Sequence, residues 1–218
     1  MKEINAMNIF EENGRLYTKS IFQGYKGFDE ELKQKGEEEY RHFDHERSKL
    51  GAAVKKGLSQ SGISEEDTVL YLGASHGYTP SYVSDIVGKD GFVLCIDKAP
   101  RVVRDLIFVC KERENMAPIL ADANKPEEYE EDLVFFDSLY QDIAEKNQLD
   151  IFSKNMEYVK SGGFGVLALK ARSVDISKKP KEVFDEARSI LDKEFTVVDQ
   201  RKLAPFEKDH MLYVVKKK

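Results

Sequence analysis

The sequence predicts an α/β protein: one mostly parallel sheet of seven strands with helices on both faces, preceded by a small β-rich appendage. Three observations predict it. From about residue 48 onward, short apolar runs alternate with helical segments, the pattern of a parallel sheet whose crossovers are helices. Proline stands in the first turn of three of those segments, at Pro80, Pro100 and Pro180, where no intrahelical partner waits for its missing N–H. The 218 residues, 41% of them hydrophobic, suffice for one substantial core and an appendage but not for two large domains.

Each element has its own reason. Residues 1–45 form the appendage. Within it Asn8 to Ser20 alternates around Asn13-Gly14, a dipeptide that takes the two positive φ angles of a type I′ hairpin turn at little cost. Asp29 to Arg47 is dense in charge and reads as a solvated connection or short helix. Residues 46–218 form the main domain. Leu50, Val54 and Leu58 recur every four residues and mark a helix leading into the core. Strands are expected at Val69 to Leu72, Phe92 to Ile96, Ala117 to Leu120, Ser138 to Gln141, Gly165 to Leu169, Thr196 to Lys202 and Met211 to Val215. Helices are expected near Pro80 to Val87, Pro100 to Arg113, Asp150 to Val159 and Pro180 to Leu191. This spacing suits the methyltransferase variant of the doubly wound, Rossmann-like fold. Lys216 to Lys218 read as a solvated tail.

Composition narrows the function. No stretch approaches the roughly 20 apolar residues of a membrane span, and Met1 to Phe10 lacks the regions of a signal peptide, so a cytoplasmic protein that makes no membrane contact is expected. Cys95 and Cys110 lack metal-ligand spacing; buried reduced thiols are expected, and no metal. The net charge of −6 argues against a freestanding nucleic-acid binder, which would hold phosphates with a basic surplus. An RNA substrate would have to be carried to the site by something else.

The run Val69 to Thr79 is a strand, a loop containing Gly73, Ala74 and Gly77, and the start of a helix. Such glycines let backbone amides approach a ligand at the carboxyl edge of a parallel sheet, although the loop alone is equally an ordinary tight βα turn. The second and third glycines of the dinucleotide fingerprint and the Lys-Ser/Thr pair of the P-loop are missing. The next strand ends in Asp97, placed to accept from ribose hydroxyls, and the third in Asp122-Ala123, where a carboxylate can face an adenine amino group beside a small residue. Either acid alone reads as a loop residue or helix cap; together after this loop they favour a nucleoside-type cofactor. Lys49, Asp142, Lys170 and His210 stand at edges of these elements, and singly each has a bland structural reading.

Several motifs taken in order resemble the fibrillarin family. They are Arg47-Ser48-Lys49-Leu50, Val83 to Gly88, Ala99-Pro100-Arg101, Lys125 to Tyr129, Gly162-Gly163, Lys170 to Ser173 and Glu207 to His210. The similarity runs from about Arg41 to the C-terminus. It is to the archaeal type, without the Gly/Arg-rich extension of eukaryotic members.

The resemblance implies methyl transfer from S-adenosylmethionine, released as S-adenosylhomocysteine, to ribose 2′-hydroxyls of ribosomal and transfer RNA. It also implies a catalytic set at Lys49, Asp142, Lys170 and His210. Lys170 would accept or relay the proton, Asp142 would orient Lys170, Lys49 would stabilise the developing alkoxide, and His210 would position the ribose. Cofactor contacts are implied at Gly73, Ala74, Tyr78, Thr79, Asp97, Lys98, Asp122, Ala123, Asp142, Ile143, Ala144 and Glu145. At four of these the chain departs from the family pattern. Tyr78 stands where Thr is usual, Asp97 where Glu is, Lys98 in place of an aromatic, and Glu145 in place of Gln. The implied partners are a guide RNA and its target RNA, a Nop-domain scaffold protein and, indirectly, a kink-turn-binding protein of the box C/D ribonucleoprotein. Arg101, Arg104 and Arg172 are candidate local contacts to RNA or partner. The competing readings are a methyltransferase acting on a protein glutamine or a small molecule, and a noncatalytic scaffold subunit.

Overall fold

A computed structural model describes residues 1–129 and 135–218. The N-terminal sheet is antiparallel, in the order β1-β2-β3-β5-β4, from β1 (Lys2–Glu3), β2 (Ile9–Glu12), β3 (Arg15–Lys19), β4 (Leu32–Lys35) and β5 (Glu38–His42). Asn13 and Gly14 join β2 to β3 at φ 52° and 76°, both positive as a type I′ turn requires.

The charged stretch from Asp29 to Arg47 is neither a solvated connection nor a helix; it holds the β4–β5 hairpin. Alternation explains the difference: on β5, Glu39 and Arg41 turn inward while Glu38, Tyr40 and His42 lie further out. Arg41 is fully buried because its charge is met. Its guanidinium reaches Asp85 at 2.6 Å and Glu30 at 2.7 Å, and Arg113 reaches Asp85 from the other side at 2.9 Å. Burial alone would raise the Asp85 carboxyl, but Arg41 and Arg113 override it and hold it below the usual carboxylate range. This network ties the N-terminal sheet to the main domain. Met7, Ile9, Leu16 and Phe43 also share one apolar core with Leu50, Tyr71 and Tyr82.

The main domain runs α1 (Lys49–Lys55), β6 (Thr68–Leu72), α2 (Tyr78–Val87), β7 (Phe92–Asp97), α3 (Pro100–Glu112), β8 (Met116–Leu120), β9 (Phe136–Gln141), α4 (Gln148–Met156), β10 (Val159–Lys170), α5 (Ala171–Val174), α6 (Pro180–Glu194), β11 (Phe195–Lys202) and β12 (His210–Lys217). Its seven strands lie in the order β11-β12-β10-β9-β6-β7-β8, and only β12 runs antiparallel to its neighbours. Residues alternate between two cores. On β6, Val69 and Tyr71 face α1, α2 and α3, whereas Leu70 and Leu72 face α4 and α6. Burial on both faces is what the continuous apolar runs encode.

Two expectations shift. The helix expected to reach Val159 stops at Met156, and Val159 already belongs to β10. The terminal lysines are no free tail: Lys216 and Lys217 continue β12, and the Lys217 ammonium donates to the carbonyls of Glu157 and Val159 at 2.9 and 2.7 Å. Cys95 and Cys110 are not joined in a disulfide, and burial pushes both thiols up, Cys110 to about 12. Among the described residues no helix is long and apolar enough to cross a membrane.

Candidate active site

Chain direction creates the site. β6, β7, β8 and β9 are parallel, so their carboxyl ends open on one edge, and strand order reverses between β6 and β9. Connections leave in opposite directions there, and the gap between them is where open α/β sheets hold ligands. A cavity of about 350 Å³ fills it, lined by Gly73 and Ser75 after β6, Asp97 and Lys98 from β7, Ala121 to Ala123 after β8, and Asp142 to Glu145 after β9.

Gly73 is required by what passes over it. It has φ +80°, and a Cβ there would lie 2.3 Å from the Asp142 carbonyl oxygen. The Asp97 carboxylate is anchored by the amides of Ser75 at 2.8 Å and Ala99 at 3.0 Å, which fixes the acceptor at the end of β7. Asp122 is held by the Asn124 amide at 3.0 Å, and that bond lowers its carboxyl below the usual value. The Lys98 ammonium meets the Glu145 carboxylate, and both residues line the cavity. Glu145 also accepts from Asn124 at 3.0 Å, so the ends of β7, β8 and β9 are joined along the rim.

Of the four candidate catalytic residues, Asp142 lines this cavity and Lys49, Lys170 and His210 do not. Lys49 opens α1 and pairs with Asp142 at 2.7 Å. Lys170 ends β10 directly across from His210, the first residue of β12, and cross-strand partners share a face. His210 is buried. Burial lowers its pKa from the ordinary imidazole value and the charge of Lys49 lowers it further, against opposing effects of Lys208, Glu207 and Asp142. Neutral at pH 7, it has Nδ1 at 2.8 Å from the Lys208 carbonyl, which assigns the proton to Nδ1 and leaves Nε2 as an acceptor. The Lys170 ammonium makes no hydrogen bond or ion pair among the described residues. Asp142 was expected to orient Lys170, but its carboxylate binds Lys49 instead.

Of the residues expected at the cofactor, Gly73, Asp97, Lys98, Asp122, Ala123, Asp142, Ile143, Ala144 and Glu145 line the cavity, whereas Ala74, Tyr78 and Thr79 do not. Tyr78 stacks under the Arg47 guanidinium at 4.1 Å and meets Phe28 edge to face. Thr79 donates to Ser48 at 3.1 Å, and Ser48 caps α1, so Thr79 braces the helix that carries Lys49. Ser75, Ile96 and Ala121 line the cavity without having been singled out in the sequence. They carry no signal beyond standing beside Ala74, Asp97 and Asp122.

The cavity fits an adenosyl group. It offers carboxylates at two successive strand ends and apolar walls from Ile96, Ile143 and three alanines. A doubly wound sheet whose last strand inserts antiparallel between the two before it, with such a cavity at its switch point, defines a Rossmann-like methyltransferase.

Comparison with known proteins narrows the class. The family model described as Fibrillarin matches residues 1–218, further toward the N-terminus than the motifs that begin near Arg41. The chain is 46% identical to the fibrillarin-like rRNA/tRNA 2′-O-methyltransferase of Methanocaldococcus jannaschii, over 98% of this chain and 97% of that protein. It is similar to Aeropyrum pernix fibrillarin crystallised with natively bound S-adenosyl-L-methionine (TM-score 0.84, 37% identity, 92% of this chain and 88% of that one). It is also similar to the fibrillarin of a fibrillarin/Nop5p complex (TM-score 0.87, 33% identity, 97% and 98%). The chain belongs to the fibrillarin family.

Proposed function

We propose that this chain is an S-adenosylmethionine-dependent rRNA/tRNA 2′-O-methyltransferase, acting on nucleotides selected by a guide RNA within a box C/D ribonucleoprotein on a Nop-domain scaffold. The observation that carries the reading is a nucleoside-sized cavity lined by Asp142, which pairs with Lys49, while His210, the cross-strand partner of Lys170, feels the charge of both Lys49 and Asp142. Close relatives carry that activity in their names, one contains the cofactor, and one is complexed with Nop5p.

The cofactor, when bound, supplies a methyl group already activated on a sulfonium and leaves as S-adenosylhomocysteine. Asp97 and Asp122 would accept from its ribose and adenine, and Ile96 and Ile143 would wall the ring. The chain's own task is to place a ribose oxygen in line and ease its deprotonation, because a hydroxyl is a poor nucleophile at neutral pH. Lys170 takes the 2′-hydroxyl proton; its side-chain nitrogen is held in no ion pair among the described residues, unlike that of Lys49. The oxygen's electron pair then forms the new C–O bond. Lys49, pinned by Asp142, sets positive charge beside the developing alkoxide, and Nε2 of His210 accepts from a ribose hydroxyl. A net charge of −6 fits an enzyme whose phosphate binding is delegated to partners. Arg101 and Arg104 on α3 and Arg172 on α5, all exposed, would be local contacts to that RNA or to a partner.

Reconstitution with guide RNA, scaffold and labelled cofactor tests this. Transfer to RNA that requires the guide, and falls about a hundredfold or more in Lys170→Ala with cofactor affinity intact, is expected. Guide-independent transfer to a protein or small molecule, or cofactor binding without turnover in the assembled particle, would overturn it.

A further inference from the structure

A buried glutamine outside the four candidate catalytic residues bonds the main chain of Lys170. Gln148 opens α4 and is fully buried. Its amide closes a ring with the main chain of Lys170: Oε1 accepts from the Lys170 amide at 3.0 Å, and Nε2 donates to the Lys170 carbonyl at 3.2 Å. Nε2 also donates to the Glu145 carbonyl at 2.6 Å. The Gln148 carbonyl in turn accepts from Nε2 of Gln141 at 2.7 Å, and Gln141, equally buried, directly precedes Asp142.

The ladder shows why this matters. β9 and β10 are paired only as far as Gln141 and Leu167, three residues short of Lys170. Beyond that point Lys170 is held by His210 of β12 on one side, and on the other by the Gln148 amide, which takes the place of the missing strand. One side chain therefore spans the end of β10 and the cavity-lining segment Asp142 to Glu145.

We propose that Gln148 is a positioning residue for methyl transfer, fixing Lys170 in register with the segment that walls the cofactor cavity. The proposal rests on the reading of Lys170 as proton acceptor. The ring demands both an acceptor and a donor, so the two substitutions that alter it differ in a diagnostic way. Gln148→Met removes every bond at similar volume. Gln148→Glu keeps the acceptor for the Lys170 amide; its ionised form faces two carbonyl oxygens with no proton to give, and its protonated form restores one donor.

The test measures single-turnover methyl transfer, cofactor dissociation constants and thermal midpoints for the wild type, both Gln148 variants and Lys170→Ala in the reconstituted particle. Gln148→Met is expected to lower the rate about ten- to hundredfold in folded enzyme, with the KM for RNA nearly unchanged. Its cofactor affinity falls several-fold, because Glu145 loses its anchor. The rate of Gln148→Glu relative to wild type climbs as pH falls from about 9 to about 6, while the Gln148→Met ratio stays flat. A merely structural glutamine would lower the thermal midpoint without moving that pH ratio. Wild-type rates in both folded variants, or a flat Gln148→Glu ratio, overturn the proposal. If Lys170→Ala is inactive and the Gln148 variants match the wild type, Gln148 alone has lost its role. If Lys170→Ala turns over normally, the proton-acceptor reading fails and this one with it.

Discussion

Gly73→Ala is the substitution that most directly strains the site. The new Cβ would stand 2.3 Å from the Asp142 carbonyl oxygen and 2.9 Å from its carbon, where 3.0 Å is the practical limit for a Cβ contact. The oxygen must therefore retreat by about 0.7 Å. Asp142 cannot retreat alone, because its amide donates to the Leu72 carbonyl at 2.9 Å and its carboxylate holds Lys49 at 2.7 Å. The left-handed backbone at φ +80° adds about 1–2 kcal/mol once a side chain is present. A displacement approaching an ångström at a positioned group costs up to about a hundredfold in rate. Gly73→Ala is thus expected to fold with a midpoint a few degrees lower, to bind S-adenosylmethionine more weakly, and to lose about ten- to hundredfold in turnover. Calorimetric titration of the cofactor with single-turnover methyl transfer reads both effects. Wild-type affinity together with wild-type turnover would refute the claim that Asp142 is placed by its passage over Gly73.

Three further outcomes follow from the charges. Asp85→Asn leaves the buried Arg41 and Arg113 without their shared carboxylate, which costs about 3–5 kcal/mol; the thermal midpoint should fall by about 10 °C, and an unchanged midpoint contradicts the network's role. Because the Asp85 pKa is depressed, its stabilisation is present above the unfolded carboxyl value near 3.8 and is lost only as pH falls below it, so wild-type and Asp85→Asn stabilities should converge in acid. Lys49→Met removes a positive charge near His210 and frees Asp142, both of which raise the imidazole; its NMR titration midpoint should move upward toward the ordinary value, and no movement would break the proposed grouping. Lys98→Phe exchanges an exposed ammonium for a ring at the cavity rim, and should tighten cofactor binding several-fold and weaken its salt dependence, as equilibrium titration at two ionic strengths would report.

Legibility in the sequence followed the range of the forces involved. The Asn13-Gly14 hairpin and the seven apolar runs are local patterns, and they stand where periodicity places them. Asp97 and Asp122 were legible because strand ends in a parallel sheet share an edge. The hairpin within Asp29 to Arg47 was not, because Arg41 is paid for by Asp85, 44 residues away, and a run of charge without its partners looks solvated. Thr79 was assigned to the cofactor, yet its hydroxyl braces the cap of α1, a choice only packing decides. Gln148 gave no signal at all: its partners are main-chain groups of Lys170 and Glu145, which any residue there would supply.

The claim on which everything else depends is that the nucleophile beside Lys49, Asp142, Lys170 and His210 is a ribose 2′-oxygen. The direct measurement follows a labelled methyl group in the reconstituted particle, with a target RNA carrying either ribose or 2′-deoxyribose at the guided nucleotide. Label recovered as a 2′-O-methyl nucleoside from the ribose target, and none from the deoxy target, is the predicted result. Label on a base, on protein, or undiminished on the deoxy target would contradict it.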